Sequence, residues 1–187
     1  MRKLKLQMQL SLDGYCAGPN QEMDWMIWDF DQQLKKHLNE LTAPVDCILL
    51  GRKLAEGFIP TWKERLVDPA GEDPAFVKKM NDTHKVIFSN TLTKSVWENT
   101  TLATKDLKIE INNLKQQEGR DIIMYGGHNF VSNVISENLI DEYNLYIHPI
   151  AIGNGLAPFR NRTSLELVQS KTFSCGITYI QYKSKVE

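Results

Sequence analysis

The 187 residues suffice for one well-packed domain and leave little room for two. Apolar residues make up 42% and charged residues 24%, an ordinary globular balance, and a formal net charge of -1 excludes a general pull toward nucleic acid or acidic membrane surfaces. No apolar run reaches the ~18 residues that cross a bilayer, and Cys16, Cys47 and Cys175 form no CxxC pair, which excludes a disulfide framework and a Cys-rich metal site. The opening MRKLKLQMQLSLDG is broken too often by polar residues to form a signal-peptide core, so the cytoplasm is the expected compartment.

Lys3–Leu12 alternates, with Leu4, Leu6, Met8, Leu10 and Leu12 on one face and Lys3, Lys5, Gln7, Gln9 and Ser11 on the other, which predicts a first strand. Asp13-Gly14 and Gly18-Pro19-Asn20 break it, leaving Tyr15 and Cys16 in a loop at a strand end. In EMDWMIWDFDQQLKKHLNEL, the spacing of Phe30, Leu34, His37, Leu38 and Leu41 predicts an amphipathic helix. Trp25 and Trp28 stand at or just before its start, either as a wall for a flat ring or as anchors to the core. His37 is expected at the helix surface or edge.

VDCILLG reads as a fully buried parallel strand, and Arg52-Lys53 after Gly51 begins a helical stretch. Cations at a helix start oppose its dipole, so they serve either a phosphate or the solvent. Phe58–Pro74 reads as a surface excursion, and Ala75–Asp82 as a short helix. Lys85–Phe88 is a buried strand ending in Ser89-Asn90, residues that cap a following element or bind a ligand. A weak strand at Trp97–Thr104 and a helix at Leu107–Glu118 follow.

Asp121–Leu139 (DIIMYGGHNFVSNVISENL) is the most informative stretch. Ile122–Met124 is an apolar strand, Gly126-Gly127 interrupts it, and Phe130, Val131, Val134 and Ile135 are spaced as one helix face. Glycine at such a corner serves either the turn's dihedrals or the close approach of a phosphate to the helix N-terminus. Tyr143–Ile152 predicts a long strand, and Leu165–Ser170 with Ile177–Lys183 an antiparallel pair. Strands alternating with helices predict a single α/β domain over 1–187 with a mixed, mostly parallel sheet.

Three strand ends thus pose one question: Gly51-Arg52, Ser89-Asn90 and Gly126-Gly127. Were their strands parallel neighbours, these corners would share one sheet edge. They would then hold an extended dinucleotide, with Arg52 or Lys53 near a ribose 2′-phosphate and Gly126-Gly127 at the pyrophosphate. His128 alone among the histidines falls in this site, where the dipole favours a neutral imidazole donating an N–H. The sequence lacks GxSxG, P-loop and HExxH patterns.

SLDGYCAG, MDW, ILLGRK, KVIFS, IIMYGGHNFV and LIDEYNLYIHPIAIGNG, in this order, resemble the dihydrofolate reductase-like superfamily. The likeness is to the branch similar to the C-terminal reductase domain of bifunctional riboflavin-biosynthesis proteins, and it covers nearly the whole chain. It implies a three-layer fold with helices on both sheet faces, NADPH as cofactor, a small heterocyclic substrate and a homodimer. By position, Gly126, Gly127, His128, Asn129, Phe130 and Val131 would line the pyrophosphate and ribose. Gly51, Arg52 and Lys53 would lie near the adenosine phosphates, with Ser89 after the next strand. Leu10, Asp13 and Gly14 would flank the nicotinamide. Trp25 would stand near the cofactor–substrate boundary, and Asp13 and Trp25 are the candidate catalytic residues.

Tyr125 and Asp24 are the candidate substrate contacts. Tyr125 stands where the riboflavin reductases carry a substrate-contacting glutamate, so their substrate is in question here, and no deaminase zinc signature is present. For the pterin-holding carboxylate of dihydrofolate reductase, the candidates are Asp24, Asp29 and Asp31, with Phe30 nearest the register. The expected function is an NADPH-dependent reductase; the alternatives are an NADP(H)-binding protein without turnover, a dihydrofolate reductase, and a purely structural domain.

Overall fold

The computed structural model describes residues 1–185. In chain order it contains β1 (Leu4–Leu10), α1 (Gln32–Thr42), β2 (Val45–Gly51), α2 (Arg52–Glu64), α3 (Pro74–Asp82), β3 (His84–Phe88), β4 (Thr100–Leu102), α4 (Leu107–Gln116), β5 (Asp121–Tyr125), α5 (His128–Ser136), β6 (Glu142–Ile147), β7 (Leu165–Thr172) and β8 (Thr178–Ser184). The strands form one eight-stranded sheet in the order β4-β3-β2-β5-β1-β6-β8-β7. The first six in that order pair in parallel, and β8 then runs antiparallel to both β6 and β7. This is the expected mixed sheet with its closing antiparallel pair.

Side chains alternate across the sheet and divide the core into layers. On one face Leu4, Leu6 and Met8 of β1, with Leu49, Ile122 and Met124, bury against Ile111 of α4 and Val131, Val134 and Ile135 of α5. On the other face Ile48, Leu50, Ile87 and Ile123 pack against Ala55 of α2 and Met80 of α3. Beside them on that face, Leu34 and Leu38 of α1 cover Tyr146, Phe173, Ile177 and Tyr179. Helices therefore cover both faces, as the buried strands of a parallel sheet require.

Four expectations need correction. The first helix starts only at Gln32, because Asp31 accepts the Leu34 N–H as its N-cap, so Phe30 lies before the helix, in the segment that also holds Trp25 and Trp28. His37 is half-buried against an aromatic wall, its ring 4.3 Å from Tyr179 and 5.6 Å from Phe173. The second helix runs through Pro60 to Glu64, since Phe58, Ile59 and Trp62 find apolar cover on the sheet; the surface excursion begins after it. The sixth strand stops at Ile147: the Ile150 N–H turns back to the His148 carbonyl, and Pro149 carries no N–H for a ladder.

Candidate functional site

The parallel strands β1, β2, β3, β5 and β6 all end on the same sheet edge, where α/β sheets gather ligands. Helices α1, α3 and α4 begin with an aspartate whose carboxylate accepts a first-turn N–H: Asp31, Asp73 and Asp106. The helices that begin directly from this edge, α2 and α5, start instead at Gly51 and Gly127 with no side-chain cap. Their first-turn N–H groups are left for an external acceptor, and an anion suits both the donors and the dipole.

The corners meet physically. A Cβ on Gly51 would lie 3.1 Å from Phe130 Cβ, and the Phe130 ring lies tilted 4.9 Å from that of Phe88, which precedes Ser89. Gly126 and Gly127 are glycines for different reasons. A Cβ on Gly126 would fall 2.5 Å from Met8 Cε and 3.0 Å from Val131 Cγ2, so that glycine serves the close fit of helix on sheet. At Gly127 the nearest atom to such a Cβ is Leu54 Cβ at 4.0 Å, so the protein itself leaves that space open. The residues present thus fit a phosphate-bearing cofactor, with an open cradle at Gly127 and free N–H groups beside it.

The remaining candidate residues occupy distinct places. Arg52 forms an ion pair one turn along with Glu56, and Lys53 is exposed. Ser89 Oγ accepts the N–H groups of Thr91 and Leu92, which is the turn-forming alternative. His128 Nε2 lies 3.0 Å from the Ala157 carbonyl; a carbonyl only accepts, so this nitrogen carries the proton and donates to the protein's own backbone. Asn129 accepts from Arg160, while Val131 and Leu10 are buried.

Asp13 accepts from the Ser11 hydroxyl at 2.6 Å and from the N–H groups of Ile152 and Gly153 at 3.2 and 2.7 Å. The Ser11 bond first, then the backbone bonds, hold its carboxyl below the usual value. Both oxygens are engaged in tying the loop after β1 to the loop after β6. Asp24 and Asp29 are exposed, and Asp31 caps α1 and accepts from Ser174 Oγ and the Cys175 N–H. None of the three is turned into the core to hold a protonated ring.

Tyr125 packs against Phe58 at 5.2 Å, with Oη 4.0 Å from Met80 Sδ, and burial pushes its phenol far up. It shares a sheet face with Gln7, its partner in the β1–β5 register. On this face the structure brings Trp25, a candidate from the sequence, together with residues that carried no functional signal there. His148 is fully buried, 5.5 Å edge-on from Trp25, and bonded to Gln9. Gln7 Oε1, Trp25 Nε1 and Tyr146 Oη are sealed from solvent with no partner among the described residues. An unsatisfied buried polar group costs about 1–3 kcal/mol, so such a cluster in a folded core implies a use. The signal available was the polar face of β1, since a strand inside a sheet covered on both sides should read apolar throughout. A cavity of about 410 Å³ near Arg2, Asp46, Cys47, His84 and Glu110 lies at the opposite ends of these strands, away from every corner described.

Residues 2–179 match the RibD C-terminal domain family. The uncharacterized protein YyaP of Bacillus subtilis (strain 168) is 33% identical over 189 residues, covering 97% of this chain and 94% of that protein. A riboflavin biosynthesis protein from Shewanella sp. PV-4 superposes with a TM-score of 0.70 at 21% identity over the full length of both chains. The Thermotoga maritima diaminohydroxyphosphoribosylaminopyrimidine deaminase/5-amino-6-(5-phosphoribosylamino)uracil reductase superposes at 0.68 and 15% identity; this chain covers 57% of it. These superpositions extend the sequence match to the three-layer architecture, and the chain belongs to the RibD C-terminal domain family.

Proposed function

We propose that this protein is a cytoplasmic NADPH-dependent reductase acting on a small planar heterocycle, in the manner of 5-amino-6-(5-phosphoribosylamino)uracil reductases. The observation that carries this reading is the pair of helices that start uncapped at Gly51 and Gly127, on the edge where the six parallel strands end. NADPH, when bound, supplies the hydride. The protein holds it: the N–H groups at the start of α5, with Gly127 offering room, take the pyrophosphate, and Arg52 and Lys53 take the 2′-phosphate. Arg52 has to exchange Glu56 for that phosphate, and its planar fork suits both partners. Asp13 anchors the loop after β1 to Gly153, and that loop, with Leu10, would flank the nicotinamide. Positioning and exclusion of water are thus the protein's share of the work.

Titration with NADPH while following tryptophan fluorescence tests this reading. Saturable binding is expected, and Arg52→Ala should weaken NADPH about tenfold and leave NADH unchanged, the loss of one charge-assisted contact. No saturable change and no thermal shift would remove the cofactor from the account. A binding protein without turnover is a second reading, favoured by the engagement of both Asp13 oxygens; steady NADPH oxidation with a pyrimidine substrate would exclude it. A dihydrofolate reductase is less well supported, because Asp31 is engaged in capping and clasping. The exposed edge strand β7, with Leu167 and Val168 more than half exposed, supports a homodimer.

A further inference from the structure

The orientation of the Gln9 amide follows from a chain of hydrogen bonds. The backbone N–H of Ile27 can only donate, and it points at His148 Nδ1 at 3.0 Å. Nδ1 is therefore the bare nitrogen, and in the neutral ring Nε2 carries the proton. Nε2 lies 2.9 Å from Gln9, so it donates to Oε1 and the amide cannot be turned the other way. The oxygen of Gln9 is thereby used, and its nitrogen, with two N–H groups, is left for a ligand. Burial keeps the histidine neutral, which preserves the arrangement at ordinary pH.

Gln9 stands one residue before the end of β1, and Tyr146 is its neighbour in the β1–β6 register. Two residues back along the same face, about 6.6 Å away by strand geometry, one end of the Gln7 amide is sealed from solvent without a partner among the described residues. Trp25 Nε1, against His148, is a buried donor without a partner among the described residues. Lys5, next on the face, is already paired with Asp121 at 2.7 Å. The Tyr125 and Tyr146 phenols are pushed up by burial and stay protonated. The free groups of settled character are thus donors, the Gln9 N–H groups and the Trp25 indole N–H, beside a neutral histidine and protonated phenols.

We infer that His148 is a positioning residue that fixes the Gln9 amide with Nε2 toward the ligand, and that Gln9 thereby reads a carbonyl of an uncharged planar ring. This rests on the reductase reading and adds to it the residues that select the substrate. A ligand with an amino group in place of the carbonyl would set N–H against N–H at Gln9 and lose the contact.

The test uses 5,6-diaminouracil and 4,5,6-triaminopyrimidine as probes, titrated calorimetrically into protein saturated with NADP⁺. Wild type should prefer the uracil at least tenfold. Gln9→Glu keeps an oxygen for His148 and replaces the free donor by an acceptor, so the preference should vanish or reverse. Gln9→Leu and His148→Leu should bring the ratio near one, the latter because the amide is then free to flip. NADPH affinity should stay within about twofold in every variant. Wild-type binding of NADPH without either probe, or an unchanged ratio in the folded Gln9→Glu protein, would overturn the inference and leave the cofactor reading intact. Failure of wild type to bind NADPH would instead overturn the reductase reading, and this inference with it.

Discussion

Neighbouring glycines in this protein answer to different forces, and substitution separates them. Gly126→Ala drives a methyl to 2.5 Å from Met8 Cε and 3.0 Å from Val131, an overpacking expected to cost about 1–3 kcal/mol in denaturant unfolding. Gly127→Ala meets nothing closer than 4.0 Å and has an extended backbone, so stability should hold within about 0.5 kcal/mol while NADPH binding weakens. A second residue-scale outcome concerns pH. Burial lowers His148 from 6.5 to about 4. The unfolded chain therefore takes up a proton that the native state refuses between those values. Stability is full above pH 6.5 and falls as the pH drops toward 4, by up to about 3 kcal/mol. Urea unfolding at pH 7.5 and 4.5 should reveal this loss, and His148→Leu should remove most of that slope.

At the scale of elements, the sheet was largely legible. VDCILLG, KVIFS and IIMY announce buried parallel strands because both their faces meet helices, and the alternation of Tyr143–Ile147 marks β6. Boundaries were less legible where tertiary contacts decide them. Asp31 sets the start of α1 through a cap bond and a clasp on Ser174, a residue 143 positions away. Apolar cover on the sheet carries α2 past Pro60. The corner glycines were visible as candidates, but the role of Gln9 depends on His148 and Ile27, which only the fold brings to it. For β7, the exposed Leu167 and Val168 make a specific outcome: Val168→Lys should shift sedimentation from dimer to monomer at micromolar concentration and leave NADPH binding unchanged.

For the whole molecule, the sheet separates two tasks. Its strand-end edge offers uncapped helix starts for an anionic cofactor, and the face under α1 offers neutral, buried polar atoms for a ring. The two meet at the end of β1, where Leu10 and Gln9 are adjacent and point to opposite faces. Binding at such a junction stabilises the native state alone. Saturating NADPH at a hundred times its Kd should therefore raise unfolding stability by about 2.7 kcal/mol, readable as an increase in Tm.

The contrast between aspartate-capped and glycine-started helices has a consequence for motion. The first turns of α1, α3 and α4 are closed by their own side chains and should exchange amide hydrogens at rates set by the fold alone. In α2 and α5 the same turn is held by backbone only, so residues 52–54 and 128–130 should fray on a faster timescale in the free protein. An occupying phosphate would close both turns together. Two segments far apart in the chain would thus acquire slow exchange in a single event, so that the ligand acts as the missing cap of both helices.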